Sequence, residues 1–275
     1  MSDDRRTAPD HSSTPLADLQ RLDGRIAVVT GGARGIGLTT AMRLAEAGAD
    51  VAVLDLDQDG AADAAGAVAN AHGRRALGLA VDITDTGSLV AAFDRITAEL
   101  GPIAILVNNA GVYPATMLLE MTDEQWDHVL DINLKAVFVA SREAGNRMAA
   151  NGGGVIVNIA SVSGIRSSRG GRGHYVASKH GVIGLTKAFG TELAPHGIRV
   201  LGVAPTTVDT PGLAEQMSSA PGNTDWIREL GSALPLGRGC VPDDIARAVL
   251  FCASDMAAMM TSSTILVDGG QDSVM

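Results

Sequence analysis

Short apolar runs alternate with helical patterns along most of this chain. Seven of the runs are rich in Val, Ile, Leu and Ala and have the length of buried strands. Helical patterns lie between nearly all of them, and such alternation is typical of the α/β class. The pattern predicts a single-domain, doubly wound parallel sheet of about seven strands with helices on both faces. The predicted strands are Ile26–Thr30, Val51–Asp55, Ala76–Val81, Ala104–Asn108, Val155–Ile159, Arg199–Val203 and Thr264–Val267.

Two segments depart from this alternation. Residues 1–20 are polar and lack the apolar region of a signal peptide, so we expect a tail that is mobile at its start. Residues 205–236 contain four prolines and several glycines, and we expect a mobile lid over a substrate site. Residues 21–275, the lid included, have no natural boundary for a second domain. No apolar stretch reaches 18 residues, so the sequence predicts no membrane span.

The composition narrows the possible functions. Hydrophobic residues make up 46% of the 275 residues and aromatic residues only 3%, which suits a core of small aliphatic side chains between a sheet and its helices. A net charge of −10 repels a phosphate backbone, so nucleic-acid binding is not expected. The two cysteines, Cys240 and Cys252, suggest neither a disulfide framework nor a metal cluster. These features predict a cytoplasmic protein without a bound metal.

The first predicted strand runs into a glycine-rich turn and then into a helix. The turn contains Gly31, Arg34, Gly35, Ile36 and Gly37, with glycines in the spacing G-x-x-x-G-x-G. Backbone N–H groups and the dipole at a helix N-terminus favour a bound anion, and glycines let the backbone approach it closely. The sequence therefore predicts a site for the pyrophosphate of a dinucleotide. A tight turn without a ligand is the alternative.

Acidic residues follow the second and third predicted strands. Asp55, followed by Leu56, lies where a carboxylate accepts the hydroxyls of an adenosine ribose and repels a 2′-phosphate. Asp55 therefore predicts NAD rather than NADP, although the guanidinium of Arg34 would suit a 2′-phosphate. Asp82 and Ile83 are expected to meet the adenine. For both aspartates the alternative is capping of the next helix.

The fourth predicted strand ends in the polar and small residues Asn108-Asn109-Ala110-Gly111. Ligands of open parallel sheets bind beyond the carboxyl ends of the strands. We therefore expect Asn109, Ala110 and Gly111 to line the cofactor cleft or to brace the central strand.

Tyr175 and Lys179 lie four residues apart and so share one face of a predicted helix. A neighbouring ammonium favours the phenolate, so we expect Lys179 to lower the pKa of Tyr175; a change from 10 to about 7 corresponds to roughly 4 kcal/mol. A phenol of that acidity is a general acid–base near neutral pH. Ser161, after the fifth strand, could hold a substrate oxygen, and Asn133 could hold a water beside Lys179. Taken singly, each of these residues also fits an ordinary structural role.

In order and spacing, these motifs resemble those of the short-chain dehydrogenase/reductase superfamily, from about Asp23 to Gly270. The resemblance implies a Rossmann fold and an assembly of two or four identical chains. The roles it implies are general acid–base for Tyr175, lowering of that pKa and binding of the nicotinamide ribose for Lys179, positioning of the substrate oxygen for Ser161, a relay water for Asn133, and contact with the nicotinamide for Val208 and Thr210.

The implied activity is NAD(H)-dependent interconversion of a secondary alcohol and a ketone, with a small-molecule substrate and no metal. A 3-oxoacyl thioester reductase is the main alternative within this chemistry. A non-catalytic NAD-binding regulator and a related dehydratase or epimerase are the alternatives outside it.

Three positions depart from the pattern that the resemblance implies. Thr206 stands where glycine is usual after a proline, and Leu201 stands where asparagine is common. Met260-Thr261-Ser262-Ser263 replaces a Thr-Gly before the last strand.

The loop before Tyr175 carries three arginines, Arg166, Arg169 and Arg172, in an otherwise acidic protein. Guanidinium groups pair with carboxylates and phosphates. The loop therefore suggests an anionic substrate, with a solvated surface loop as the alternative.

Overall fold

The computed structural model describes residues 6–167, 170–213, 229 and 231–274. The described part of the chain contains seven strands, all in one sheet. They are β1 (Ile26–Thr30), β2 (Asp50–Asp55), β3 (Ala76–Ala80), β4 (Ile103–Asn108), β5 (Gly154–Ile159), β6 (Ile198–Pro205) and β7 (Ser263–Val267). The spatial order is β3-β2-β1-β4-β5-β6-β7, and every neighbouring pair is parallel. The predicted doubly wound parallel sheet is confirmed, although β6 is longer than expected.

Helices connect these strands and cover both faces of the sheet. They are α1 (Leu16–Leu19), α2 (Gly35–Glu46), α3 (Gln58–His72), α4 (Thr86–Glu99), α5 (Asp123–Leu130), α6 (Ala136–Ala150), α7 (Gly173–Leu193), α8 (Pro242–Ala253) and α9 (Gln271–Val274). A π-helical segment, Asp131–Lys135, joins α5 to α6. Between β1 and β4 the strand order reverses, so the helices that follow these strands diverge and leave a crevice at their carboxyl ends.

Each face of the sheet has its own apolar core. On one face, α2, α3 and α8 bury Leu44, Val68 and Ile245 against the sheet, and on the other, α4 and α6 bury Phe93 and Met148. Much of both interfaces is formed by alanine and valine. Such small side chains let the helices lie close to the sheet, which accounts for a core with few aromatic residues.

A chain of polar side chains crosses the second interface near the carboxyl ends of β4 and β5. Asn108 Nδ2 donates to Asn158 Oδ1 at 2.8 Å and to Ser141 Oγ at 3.1 Å. Asn158 Nδ2 in turn donates to Thr186 Oγ1 at 2.9 Å. All four residues are buried. Because buried polar groups need partners, these hydrogen-bonded side chains fix the mutual register of β4, β5, α6 and α7 directly beneath the crevice.

The two segments that departed from the alternation are only partly as predicted. The N-terminal segment contains α1, and the Arg6 backbone N–H donates to Pro195 O at 3.1 Å, so its described part lies on the domain. The predicted lid begins too early, because β6 continues through Pro205. Residues 214–228 and 230 of that lid lie outside the described residues.

The described residues bear on three other expectations. Among them, no helix is long and apolar enough to cross a membrane. Within the same ranges, no three His, Cys, Asp or Glu side chains are grouped so that they could hold a metal ion. Cys240 and Cys252 are both buried and both free thiols.

Candidate active site

The glycine-rich turn after β1 packs backbone against backbone. Gly31 has φ +61°, and a Cβ there would lie 2.8 Å from Ala110 Cα. A Cβ on Gly37 would lie 2.1 Å from Gly31 O. Side chains at these positions would therefore push α2 away from the turn and the turn away from β4. The glycines bring the N-terminus of α2 to the edge of the crevice, as expected from their spacing.

The N-terminus of α2 has the features of an anion site. Its N-cap residue, Arg34, forms no side-chain cap bond to the first-turn amides, and its own side chain is exposed. The amides that follow, at Gly35, Ile36 and Gly37, thus begin a helix whose dipole favours negative charge. A Cβ on Gly35 would lie 3.5 Å from Thr210 Cγ2, so the turn also borders the segment after β6. These residues fit the pyrophosphate of a dinucleotide.

Asn109 braces the central strand, which is one of the two roles expected for it. Its Nδ2 donates to Thr30 O at 3.0 Å and to Gly31 O at 2.9 Å. The Thr30 hydroxyl accepts hydrogen bonds from the backbone N–H groups of Asn109 and Ala110, at 3.0 and 3.1 Å. These bonds hold the end of β1 to the end of β4. Gly111 is exposed beside the crevice.

Asp55 joins the end of β2 to the glycine-rich turn. Its Oδ2 accepts a hydrogen bond from the Ala33 backbone N–H at 3.0 Å, and its Oδ1 accepts one from the Asp57 N–H at 3.3 Å. The N-cap of α3 is Asp57, so Asp55 is not the helix cap of the alternative interpretation. The carboxylate is partly exposed, with lone pairs left for ribose hydroxyls, and Leu56 beside it is 76% exposed.

Asp82 forms a tight local turn rather than a helix cap. Its Oδ1 accepts from Thr84 Oγ1 at 2.7 Å and from the Thr84 backbone N–H at 2.9 Å. These two bonds, the side-chain bond first, lower the pKa of the Asp82 carboxyl. The cap of α4 is Asp85 instead. Asp82 is exposed and Ile83 is partly buried, so both remain candidates for the adenine.

Tyr175 and Lys179 occupy the first two turns of α7, at the carboxyl end of β5. Lys179 is 6% exposed, and its Nζ donates to Ile159 O at 2.7 Å and lies 5.8 Å from the centre of the Tyr175 ring. Burial lowers the pKa of the Lys179 ammonium to about 8. The Tyr175 backbone N–H donates to His174 Nδ1 at 2.9 Å, which ties the start of the helix to a buried imidazole.

The pKa of Tyr175 does not move as the sequence suggested. Burial raises it, the Ser161 hydroxyl and the charge of Arg172 lower it, and Tyr113 raises it. Lys179, whose ammonium donates to Ile159 O, is not among the groups that shift this pKa. Ser161 is 8% exposed and its Oγ also accepts from the Ser163 N–H at 3.1 Å. The groups that lower the pKa of the phenol are therefore a hydroxyl and a guanidinium.

Asn133 lies at the centre of the π-helical segment, and its side chain forms three hydrogen bonds within the protein. Its Oδ1 accepts from the Val112 N–H at 2.8 Å, and its Nδ2 donates to Val112 O at 2.7 Å. Nδ2 also donates to Ser178 Oγ at 3.3 Å. With both N–H donors used, the side chain keeps one free lone pair for the relay water that was expected there. Asn133 therefore holds the segment after Gly111 in place. A π-helical insertion like the one that contains Asn133 is frequent at functional sites.

The segment after Gly111 contributes Tyr113, a residue that no motif in the sequence indicates. The Tyr113 and Tyr175 rings meet edge to face with centroids 6.4 Å apart. Arg172 Cζ lies 5.9 Å from the centre of the Tyr113 ring. The Thr116 N–H donates to Gly171 O at 2.8 Å and joins the two loops. Tyr113 lies far in sequence from Ser161, Tyr175 and Lys179, and only its position two residues after Gly111 could have suggested it.

The three loop arginines have different surroundings. Arg166 is engaged by the C-terminal helix: it donates to Gln271 O at 3.1 Å and lies 3.8 Å from Asp272 Oδ1. Arg166 is thus held by the protein itself, and the anionic substrate that the loop suggests stays a prediction. Arg169 lies outside the described residues. Arg172 is partly exposed beside Tyr113.

The three departures from the expected pattern have structural explanations. Thr206 is buried and its hydroxyl donates to Gln271 Oε1, so it anchors the same C-terminal helix as Arg166. Leu201 is fully buried in the core beneath α8. Ser262 has φ +60°, the only positive φ of a non-glycine residue in the described chain, so it occupies a conformation that glycine adopts more easily.

The segment after β6 contains the remaining two predicted residues. Val208 is buried and pairs with Cys240 in an isolated bridge. Thr210 is partly exposed, and its hydroxyl accepts from the Leu213 N–H at 3.2 Å. A Cβ on Gly212 would lie 3.2 Å from Tyr113 Oη, so this segment borders the crevice opposite Tyr175. The predicted contact of Val208 and Thr210 with a nicotinamide stays a prediction.

Comparison with known proteins identifies relatives over nearly the whole chain. A family described as "Enoyl-(Acyl carrier protein) reductase" matches residues 31–272. D-threitol dehydrogenase of Mycolicibacterium smegmatis is 39% identical, over 91% of this chain and 94% of that protein. Cis-4-hydroxycyclohexanecarboxylate dehydrogenase of Sinomonas cyclohexanicum is also 39% identical, over 91% and 97%. The crystal structure of a short-chain type dehydrogenase/reductase from Mycobacterium marinum is similar with a TM-score of 0.87, 36% identity, and coverage of 93% and 98%.

Proposed function

This chain belongs to the short-chain dehydrogenase/reductase family and is an oxidoreductase acting on CH–OH groups, and we propose that it interconverts a secondary alcohol and a ketone with NAD(H) and a tyrosine acid–base. The observation that carries the proposal is the grouping of the Ser161 hydroxyl, the Tyr175 phenol and the Lys179 ammonium at the carboxyl end of β5. This group borders the crevice whose other wall is the glycine-rich turn. Family members bind NAD(P), and the turn and the start of α2 are suited to its pyrophosphate.

In alcohol oxidation, Tyr175 as phenolate takes the proton of the substrate hydroxyl, and in ketone reduction it returns a proton to the oxygen. Ser161 donates a hydrogen bond to the same oxygen and fixes the reacting carbon beside the phenol. Ser161 and Arg172 both lower the pKa of Tyr175 and so oppose the effect of burial. When bound, the nicotinamide supplies the hydride acceptor or donor. Asn133 positions the Tyr113 loop that closes this side of the crevice.

The test is Tyr175→Phe, which removes one hydroxyl and keeps the ring. We expect turnover of an alcohol and ketone panel to fall by about 10²–10⁴-fold, the usual contribution of a general acid–base. NADH binding, followed by fluorescence, and the midpoint of thermal unfolding should change little. Unchanged turnover would contradict the mechanism. Binding of NADH without turnover of any alcohol or ketone by the unaltered protein would instead support the non-catalytic regulator.

NAD is proposed over NADP because of Asp55. Its carboxylate is held beside the glycine-rich turn by the Ala33 N–H and would repel a 2′-phosphate. Arg34 at the same turn is exposed and is the group that would favour NADP. The cofactor preference of the unaltered enzyme, measured as the ratio of kcat/KM for the two cofactors, decides between these residues.

A second candidate function is reduction of a 3-oxoacyl group on a carrier protein or coenzyme A. Two relatives that are 34% and 37% identical and are named 3-oxoacyl-[acyl-carrier-protein] reductases favour it. Asp55 argues against it if such a reductase uses NADPH. Assay of a 3-oxoacyl thioester with NADH and with NADPH distinguishes the two functions.

We also propose that two copies of the chain pair through an exposed apolar face on α5, α6 and α7. Leu130, Leu134, Phe138 and Leu185 line this face, and Phe138 is 39% exposed. Gly181 lies beneath Leu134, where a Cβ would be 2.8 Å from Leu134 Cδ1. Burial of this face in a dimer or tetramer removes apolar surface from water. Light scattering should give a mass of at least two chains, and Phe138→Asp should reduce it.

A further inference from the structure

We infer that Arg172 is a specificity residue, and that it directs the enzyme toward ketones and alcohols that carry a carboxylate group. The inference rests on the proposed function and names the substrate class for the same site. It follows from four features of Arg172: its position, the absence of an ion pair with any described residue, the fixed geometry of its loop, and the chemistry of its side chain.

The position of Arg172 is between the substrate crevice and the start of α7. Its Cζ lies 5.9 Å from the centre of the Tyr113 ring, and that ring meets Tyr175 edge to face. The charge of Arg172 also lowers the pKa of both Tyr175 and His174, so it acts at the phenol itself. A substrate whose oxygen is held by Tyr175 and Ser161 would therefore extend past Tyr113 toward this guanidinium.

Arg172 has no ion pair with any carboxylate in residues 6–167, 170–213, 229 and 231–274. The protein has 31 acidic and 21 basic side chains, so carboxylates outnumber the cations that could pair with them. A guanidinium beside the active site that has no carboxylate partner is therefore unexpected. Arg166, six residues earlier, differs because Gln271 and Asp272 engage it. The loop thus contains one structural arginine and one arginine that is available to a ligand.

The geometry around Arg172 is fixed from both sides. Gly171 has φ +80°, and its carbonyl accepts a hydrogen bond from the Thr116 N–H at 2.8 Å. Asn133 holds Val112, next to Tyr113, through two hydrogen bonds. The guanidinium therefore approaches a ring that is itself held in place. Prior fixing of a binding group lowers the entropy lost when a ligand binds.

The chemistry of the side chain selects a planar anion. A guanidinium near an aromatic ring keeps N–H groups for a carboxylate, which it can bind through two parallel hydrogen bonds. Arg172 is also the N-cap residue of the 21-residue helix α7, and the dipole of that helix favours negative charge at the same end. A neutral substrate would gain neither interaction.

The test uses matched ketone pairs in which one member carries a carboxylate and the other the primary amide, on cyclic and on linear skeletons. With NADH in excess, we expect the unaltered enzyme to favour the carboxylate by roughly 10- to 100-fold in kcat/KM, the usual size of a charge-assisted hydrogen bond. Arg172→Gln should remove that preference, measured as the ratio of KM for the two members of each pair. Because Arg172 also lowers the pKa of Tyr175, kcat should fall to a similar extent with the carboxylate and with the amide. Arg172→Lys keeps the charge but cannot form two parallel hydrogen bonds to a carboxylate, so it should retain part of the preference.

Arg166→Gln is the matched control, because it removes a guanidinium of the same loop that is already engaged. It should keep the full preference for the carboxylate. The inference is overturned if the unaltered enzyme uses both members equally, if Arg172→Gln keeps the preference, or if Arg166→Gln loses it as fully as Arg172→Gln. Turnover of neutral ketones without preference would overturn this inference alone, whereas the absence of turnover of every ketone and alcohol would overturn the proposed function as well.

Discussion

The two walls of the crevice are built in different ways. The wall formed by the glycine-rich turn, α2 and the end of β4 is fixed by backbone contacts that leave no room for a Cβ, as between Gly37 and Gly31 O. The opposite wall consists of loops that individual hydrogen bonds join. Examples are the bond from the Thr116 N–H to Gly171 O and the bond from the Thr206 hydroxyl to Gln271 Oε1. The first wall suits a ligand common to a whole family. The second can change its side chains without altering the sheet, so substrate selection belongs there.

The largest effect is expected on the first wall, for Gly37→Ala. The new Cβ would lie 2.1 Å from Gly31 O and 2.7 Å from Asn109 Nδ2, so the turn or α2 must move. We expect the free energy of unfolding to fall by about 3 kcal/mol or more, as for severe overpacking, and NADH binding to be lost. Urea unfolding and NADH titration measure the two effects.

Gly66→Ala is the control for that substitution. Gly66 is exposed within α3, and a Cβ there has no neighbour within 4 Å. Since alanine is a better helix former, this variant should be more stable by about 0.5–1 kcal/mol. If Gly37→Ala folds and binds NADH like the unaltered protein, the first wall is more adaptable than the backbone contacts imply.

The next effect concerns Asp55, which the first wall holds through the Ala33 N–H. Asp55→Ala removes the carboxylate that would accept ribose hydroxyls and repel a 2′-phosphate. We expect the NAD-to-NADP ratio of kcat/KM to fall by roughly 10- to 100-fold, because one charged hydrogen bond is lost and one repulsion is relieved.

Asp59→Ala is the matched control, since Asp59 is an exposed carboxylate in the first turn of α3. It should leave the ratio of kcat/KM unchanged. An unaltered enzyme that already works better with NADP would refute the assignment, whatever the variant does.

The sequence predicted the first wall well and the second wall poorly, and the reason is physical. The steric needs of Gly31, Gly35 and Gly37 are local, so their spacing indicates the turn without knowledge of the fold. The approach of Tyr113 to Tyr175 and Arg172 depends on how two loops distant in sequence come together, and no local pattern encodes it. The same limit applies to Arg166, whose contacts no local pattern indicates. Its partners are near the C-terminus.

The pKa of Tyr175 was missed for a related reason. Helical spacing correctly indicated that Lys179 lies near the phenol, but it could not reveal that Ile159 O takes the ammonium. Spacing also gave no measure of burial, which raises the pKa of the phenol and lowers that of the ammonium. The competition between burial and nearby charge has to be judged from the folded environment.

Lys179 lies where the two walls meet, and its burial gives the third prediction. Folding lowers its pKa from 10.5 to about 8, so between those values the unfolded chain binds more protons at this residue than the folded chain. Its contribution to the free energy of unfolding therefore rises with pH in that window and is least favourable below about pH 8. Lys179→Met should remove this rise. At pH 7 the variant should be about 1–2 kcal/mol more stable, because a cost of about 3 kcal/mol disappears while Ile159 O loses its donor.

Urea unfolding at pH 7, 8, 9 and 10 measures this effect. Lys187→Met is the control, since Lys187 is exposed on the same helix and should leave the pH dependence unchanged. Parallel stability profiles for the unaltered protein and Lys179→Met would mean that folding does not shift this pKa. Turnover of Lys179→Met should be low at every pH if Lys179 has the proposed role.

The smallest effect on stability is expected at Ser262, which lies before β7, on the same side of the sheet as the second wall. This residue adopts φ +60° before β7, where its N–H donates to Val200 O at 2.8 Å. A left-handed conformation costs an L-residue about 1–2 kcal/mol relative to glycine, and glycine loses more entropy on folding, so Ser262→Gly should stabilise the protein by a net ~0.5–1 kcal/mol. Ser263→Gly should do the opposite, because Ser263 begins β7 and glycine weakens a strand. Thermal unfolding of the two neighbouring variants compares the signs directly. Equal destabilisation by both substitutions would mean that the Ser262 side chain itself stabilises the turn before β7, as the Thr206 hydroxyl stabilises the C-terminal helix.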